Sequence, residues 1–202
     1  MKLDPFYPLV DSAEWVGRLV PKGVKLLQLR IKDQPEEGLR EEISASKAIC
    51  DRHGCQLIVN DHWKLAIDTE CDFLHLGQED LADADLDAIR RAGLRLGVST
   101  HDGDELDTAL SVDPDYVALG PVFPTRSKSL TWAPQGLEKI GGWKRQIGDL
   151  PLVAIGGITL ERSRDVLENG ADSIAVIGDV TRHNDPEQRA ADWIEATQAW
   201  RR

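Results

Sequence analysis

The stretch LVAIGGITLERSRDVLENGADSIAVIG, residues 152–178, decides the fold. Residues 152–156 and 173–177 are short apolar runs with β-branched members, the composition of strands buried on both faces. Between them, residues 160–169 place apolar side chains at helical intervals among charged ones. Strand, helix, strand is a crossover unit, and its two strands run parallel. Outward from it the same alternation recurs. Strand candidates lie at 6–10, 26–31, 56–60, 73–76, 95–99 and 116–120, and helical segments include 36–52, 85–92, 105–111 and 135–146. The last segment, 186–200, sets Ala190, Trp193, Ile194, Thr197 and Trp200 on one helical face, with Thr197 its only polar member. Pro186 suits a first helical turn, capped by Asp185 or Asn184. Eight strands alternating with about eight helical segments, and no Pro/Ser-rich linker, predict an α/β fold: a single compact (β/α)8 TIM barrel over residues 1–202. An open doubly wound sheet would use five or six strands and a Gly-rich turn after the first. Here the first strand runs into Val10-Asp11-Ser12.

Composition narrows the function. The 24 Lys and Arg against 35 Asp and Glu give a formal charge of −11, which argues against a nucleic-acid partner. Small phosphorylated ligands need only a local cationic cluster and stay open. The longest apolar runs, 151–155 and 173–177, fall far short of the roughly 20 residues of a membrane helix. Met1-Lys-Leu-Asp-Pro has no apolar segment of a secretory signal. We therefore expect a soluble cytoplasmic protein without a membrane partner; the sequence assigns no oligomeric state. Cys50, His53 and Cys55 are close enough to suggest zinc, but a buried thiol and loop residues at a helix end are the expectation.

In such barrels chemistry sits where strands end. After the second strand candidate, alternation puts Gln28, Arg30 and Lys32 on one side, costly inside a barrel unless they meet an anion or a hydrogen-bonding ligand. Asp61 follows the third strand and Glu79 and Asp80 follow the fourth, placed to share a hard cation; helix capping is the alternative for Asp33 and Glu79. The fifth strand ends at Ser99-Thr100-His101, where His101 is either a base or polar surface. The sixth opens into a long loop carrying Thr125, Arg126, Ser127 and Lys128, read as a phosphate clamp with lid-like closure over 121–134, with a disordered surface excursion as the alternative. Gly156-Gly157 and Gly178 end the last two strands, where the barrel's recurrent phosphate site lies.

Segments 28–33, 59–61, 75–80, 97–101, 120–128, 154–158 and 175–178 together resemble the thiamine-phosphate synthase family along essentially the whole chain. Ala133-Pro-Gln-Gly-Leu137 is similar to its enterobacterial branch. The resemblance implies a transferase joining a hydroxymethylpyrimidine diphosphate to a thiazole phosphate, with one Mg²⁺ per site. It implies that Gln28 and Ser99 contact the pyrimidine and that Arg30, Lys32, Asn60 and Lys128 hold the diphosphate. Arg30, Lys32 and Lys128 would carry the chemistry, and Asp61 and Asp80 the metal. Thr125, Arg126 and Ser127, with Gly157, Ile177 and Gly178, would receive the thiazole phosphate. It also implies a dissociative reaction through a pyrimidine cation, needing no general base. Two departures stand out: Gly178-Asp179 replaces a segment with a serine, and Ser127 replaces the commoner Thr. A thiazole-phosphate isomerase using His101 and a non-catalytic binder of thiamine precursors are the competing readings.

Overall fold

The computed structural model describes residues 2–32, 34–125 and 132–201. Eight strands form one closed, all-parallel barrel in sequence order: β1 (Phe6–Val10), β2 (Leu26–Leu29), β3 (Gln56–Asn60), β4 (Phe73–Leu76), β5 (Arg95–Thr100), β6 (Tyr116–Leu119), β7 (Leu152–Ile155) and β8 (Ser173–Val176). Around them run α1 (Ala13–Leu19), α2 (Glu36–His53), α3 (Trp63–Asp68), α4 (Gln78–Asp83), α5 (Leu86–Arg91), α6 (Gly103–Ser111), α7 (Gly136–Ile147), α8 (Ser163–Glu168), α9 (Gly178–Thr181) and α10 (Pro186–Ala196). The predicted strands and the predicted barrel are the observed ones. None of α1, α3, α4 and α9 exceeds seven residues, too short for a periodic signal. Among the described residues, no helix is long and apolar enough to cross a membrane.

Period-2 alternation separates two cores. Outward residues such as Phe6, Leu27, Val59, Leu74, Val98, Val117, Ala154 and Ile174 pack against the helices. Inward residues such as Tyr7, Leu26, Ile58, Tyr116, Val153 and Ala175 fill the barrel. A one-residue slip in any strand would exchange the two sets, so burial on both sides pins the register. β2 stops at Leu29, two residues short of the predicted end. Leu29 is its last residue paired with both neighbours, against Val10 and Val59, and Arg30 N adds one more bond, to Val10 O at 2.7 Å. Arg30 and Lys32 thus lie on the segment leaving the strand.

The helices follow the same logic. On α2, Leu39, Ile43, Ser46 and Cys50 form the buried stripe, and Gly54 ends the helix at φ 61°, a left-handed conformation suited to glycine. Cys50, Cys55 and Cys71 are buried, unpaired thiols. Asp185 caps α10 by accepting from Gln188 N at 3.0 Å, and Pro186 fills the first turn. Trp193 is fully buried and stacks on Phe6 with ring centroids 5.4 Å apart; truncation to Ala at such a site costs about 3–5 kcal/mol. The helix ends at Ala196, not Trp200. Thr197 turns its hydroxyl back onto Trp193 O at 2.7 Å, which satisfies the one polar member of the stripe inside the core.

Candidate active site

At the C-terminal ends of the strands opens a cavity of about 490 Å³. Every strand sends at least one inward residue to it, among them Tyr7, Gln28, Asn60, His75, Ser99, Ala118, Val153 and Ala175. Apart from Leu9 of β1, the apolar members come from β6, β7 and β8, and the polar ones come from β1 to β5. One cavity therefore has a dry wall and a hydrogen-bonding wall.

The polar wall is a continuous string of hydrogen bonds. Gln28 Nε2 donates to Tyr7 Oη at 2.7 Å, Tyr7 Oη meets Tyr116 Oη at 3.1 Å, Tyr116 Oη meets His75 Nδ1 at 2.8 Å, and His75 Nε2 meets Ser99 Oγ at 2.8 Å. Burial holds His75 down near pKa 4, with the Arg30 charge also lowering it and the Asp61 charge opposing, so the ring is neutral. Burial likewise pushes both tyrosines well above the usual phenol range. Gln78 Nε2 anchors the end of β5 by donating to Ser99 O at 2.7 Å. Gly97 is obligatory here: a Cβ at that position would overlap the Tyr116 ring.

Beside this wall, the segments leaving β2, β3 and β4 gather charge. Arg30 lines the cavity and makes no side-chain hydrogen bond among the described residues. Lys32 Nζ pairs with Asp61 Oδ2 at 2.9 Å. Asp61 holds a left-handed backbone, φ 64°, with its N–H on His75 O at 2.9 Å. Its carboxylate lies close enough to Asp80 to act on it. Burial first, and the Asp61 charge second, raise the Asp80 carboxyl, while Lys32 opposes. Two carboxylates brought together at a cationic mouth are the donor set that Mg²⁺ takes with phosphate oxygens and water, so the residues present fit that ion.

Across the cavity the wall is made of backbone. Gly156 and Gly157 follow β7 at φ 101° and 64°. A Cβ on Gly157 would press into the carbonyl oxygens of Pro124 and Phe123. Arg162 donates to Gly157 O at 2.8 Å and lies over the Phe123 ring at 4.4 Å. Arg182 lines the cavity next to Gly178 and makes no side-chain hydrogen bond among the described residues. Asp179 also lines the cavity, but its carboxylate is taken up by Arg189 at 2.9 and 3.0 Å and by Trp193 Nε1 at 2.8 Å.

The sequence model of the family described as thiamine monophosphate synthase matches residues 7–180. The chain belongs to that family. It is 66% identical over 201 residues to the thiamine-phosphate synthase of Rhizobium etli, spanning 100% of this chain and 98% of the relative. The corresponding protein of Cronobacter sakazakii is 53% identical over 95% of this chain and 88% of its own length. Among solved structures, a thiamine phosphate pyrophosphorylase from Pyrococcus furiosus superposes with TM-score 0.86 at 25% identity, covering 98% of each chain. As a thiamine monophosphate synthase family member the chain is a transferase of thiamine biosynthesis.

The family's motif residues come together as two groups. Gln28, Arg30, Asn60 and Ser99 line one side of the cavity, with Lys32, Asp61 and Asp80 clustered beside it. Thr125, Gly157, Ile177 and Gly178 line the other. Asp33, Arg126, Ser127 and Lys128 lie outside the described residues. His101 also lines the cavity, but its Nδ1 is held by Glu105 at 2.7 Å and its ring stacks on Trp132. Sequence reasoning passed over four residues that line the cavity, Tyr7, His75, Arg162 and Arg182, and a fifth, Tyr116, that bonds to the first two. Tyr7, His75 and Tyr116 occupy inward positions of β1, β4 and β6, but alternation marks them as inward without separating them from core. The two arginines sit in the segments after β7 and β8.

Proposed function

We propose that the chain is a Mg²⁺-dependent thiamine-phosphate synthase. It joins 4-amino-2-methyl-5-(diphosphooxymethyl)pyrimidine to 4-methyl-5-(2-phosphooxyethyl)thiazole, or its 2-carboxy form, giving thiamine phosphate and pyrophosphate. The observation that carries this reading is the division of one cavity into a side-chain wall and a backbone wall. Gln28 and Ser99 hold the pyrimidine, while Arg30, Lys32 and Asn60 take the diphosphate. Gly157, Ile177 and Gly178 receive the thiazole phosphate, and Arg182 supplies charge where the family's serine is replaced by Gly178. Asp61 and Asp80 would hold Mg²⁺, which when bound supplies positive charge beside the diphosphate.

In this reading the methylene C–O bond breaks first, and its electron pair leaves with the diphosphate. Arg30 and Lys32 stabilise the charge that collects on the departing oxygen, where fixed cations count most. The amino-substituted ring delocalises the positive charge left behind, and the thiazole nitrogen then forms the new C–N bond with its lone pair. No group on the protein has to act as nucleophile or base. The apolar residues of β6–β8 keep water from the cation. An isomerase working through His101 would have no use for the Asp61–Asp80 pair.

Incubation of the purified chain with both substrates and Mg²⁺ tests this. Thiamine phosphate and pyrophosphate should appear in equal amounts, and neither should form with chelator or with one substrate omitted. Product formation unaffected by chelator would remove the metal from the proposal; no product at all would leave a binder.

A further inference from the structure

We infer that Tyr7, Tyr116 and His75 are positioning residues that fix the hydrogen-bonding polarity of Gln28 and Ser99, and so make the cavity selective for a 4-aminopyrimidine over its 4-oxo counterpart. This rests on the reading that Gln28 and Ser99 hold the pyrimidine, and it assigns a role to three residues for which that reading has no use.

Proton counting carries the argument. Gln28 Nε2 donates to Tyr7 Oη, so among the described residues the Tyr7 proton has one remaining acceptor, Tyr116 Oη. The Tyr116 proton must then point at His75 Nδ1. A nitrogen that accepts carries no proton, so the ring bears its single proton on Nε2 and donates it to Ser99 Oγ. Each phenol proton and the ring N–H then has one acceptor, as burial demands. The two ends are left with opposite characters. No group among the described residues donates to Gln28 Oε1, which faces the ligand as an acceptor. The Ser99 hydroxyl proton is free to donate.

An aminopyrimidine matches these ends: its amino group donates to Gln28, and N1, which stays unprotonated in the 4-oxo lactam as well, accepts from Ser99. A 4-oxo ring offers an acceptor in place of the amino donor, which requires Gln28 to turn its amide. With the string intact, turning that amide reverses every bond in it, through Tyr7, Tyr116 and His75, and makes Ser99 an acceptor. Two residues three strands apart in the barrel are thereby coupled, and a mismatch at one is transmitted to the other. Cutting the string at Tyr116 uncouples them.

Two measurements decide the matter. In ¹⁵N-histidine NMR of the full chain without substrate, with His75→Gln identifying the signal, His75 should be the Nε2–H tautomer. An Nδ1–H tautomer overturns the inference, whatever the enzyme's activity. Tyr116→Phe, compared with wild type on 4-amino and 4-oxo pyrimidine diphosphates, should lower the amino-over-oxo ratio of kcat/KM by about tenfold or more, since wrong-polarity pairing in a buried site is what enforces such ratios. An unchanged ratio in a folded variant sinks the proposal. Should wild type make no product from the amino substrate, the synthase reading fails, while the tautomer still tests the string.

Discussion

The two sides of the cavity recognise by different means. On the β1–β5 side, recognition is by side chains: Gln28 rests on Tyr7 and Ser99 on His75, both deep in the barrel, and Asp61 pairs with Lys32 at the mouth. On the β7–β8 side it is by backbone, with glycines at 156, 157 and 178 and two exposed arginines beside them. The first arrangement fixes donors and acceptors in place, as a planar heterocycle requires. The second offers close approach and charge, which is enough for a phosphate. Specificity is thus concentrated on one side and affinity for anions on the other.

This contrast can be broken at several points. Removing one acid of the pair should have the largest effect. Asp61→Asn, which tolerates the left-handed backbone, or Asp80→Asn should lower kcat by about 10³-fold, the several kcal/mol a divalent ion contributes. Near-normal rates for both at limiting Mg²⁺ would take the carboxylates out of the reaction.

Next comes pH, acting on the side-chain wall. His75 titrates near 4 in the fold and near 6.5 when unfolded, so the unfolded chain binds the extra proton between those values. Stability from this group is complete above pH 6.5 and is lost as pH falls toward 4. The loss is on the order of 3 kcal/mol, from about 1.4 kcal/mol per unit. Chemical denaturation across that range checks it, and His75→Gln should flatten the slope.

Smaller effects belong to the backbone wall. Gly157→Ala sets a Cβ against two carbonyls in a left-handed conformation; about 2 kcal/mol of stability and much of the thiazole-phosphate affinity should go, with KM for the pyrimidine diphosphate less affected. Arg182→Ala should raise KM for the thiazole phosphate about tenfold and leave the other KM unchanged, as for one charge-assisted contact. Gly178→Ser should change least, within about threefold. Its Cβ meets the Arg182 side chain only at ordinary contact distances, 3.6–3.8 Å, as surface substitutions clear of special features do. A large loss there would show that Gly178 backbone geometry, not Arg182, holds the phosphate.

Strand positions were legible because a barrel buries both faces of every strand, and residues 152–156 or 173–177 are apolar for that reason. Gln28 was legible because a polar residue at an inward position is conspicuous, whereas Asn60 and Ser99 were marked by the family resemblance. Tyr7 and Tyr116 were not, since a tyrosine in a strand reads as core, and only its hydroxyl partner reveals otherwise. The engagement of the Asp179 carboxylate was hidden as well. Its grip by Arg189 and Trp193 joins residues that are 10 and 14 positions apart, on different helices.

By itself the order of residues determined the alternation of strands and helices, the closed barrel, and which strand ends carry acids, cations and glycines. Those properties are local: periodicity, turn chemistry and burial pattern act over a few residues at a time. Only the tertiary structure decided which inward side chains meet across the barrel. The partners Tyr7 and Tyr116 are separated by 109 positions, and His75 and Tyr116 by 41. A hydrogen bond depends on ångström-scale distance and direction, and barrel closure, not chain proximity, brings such atoms together.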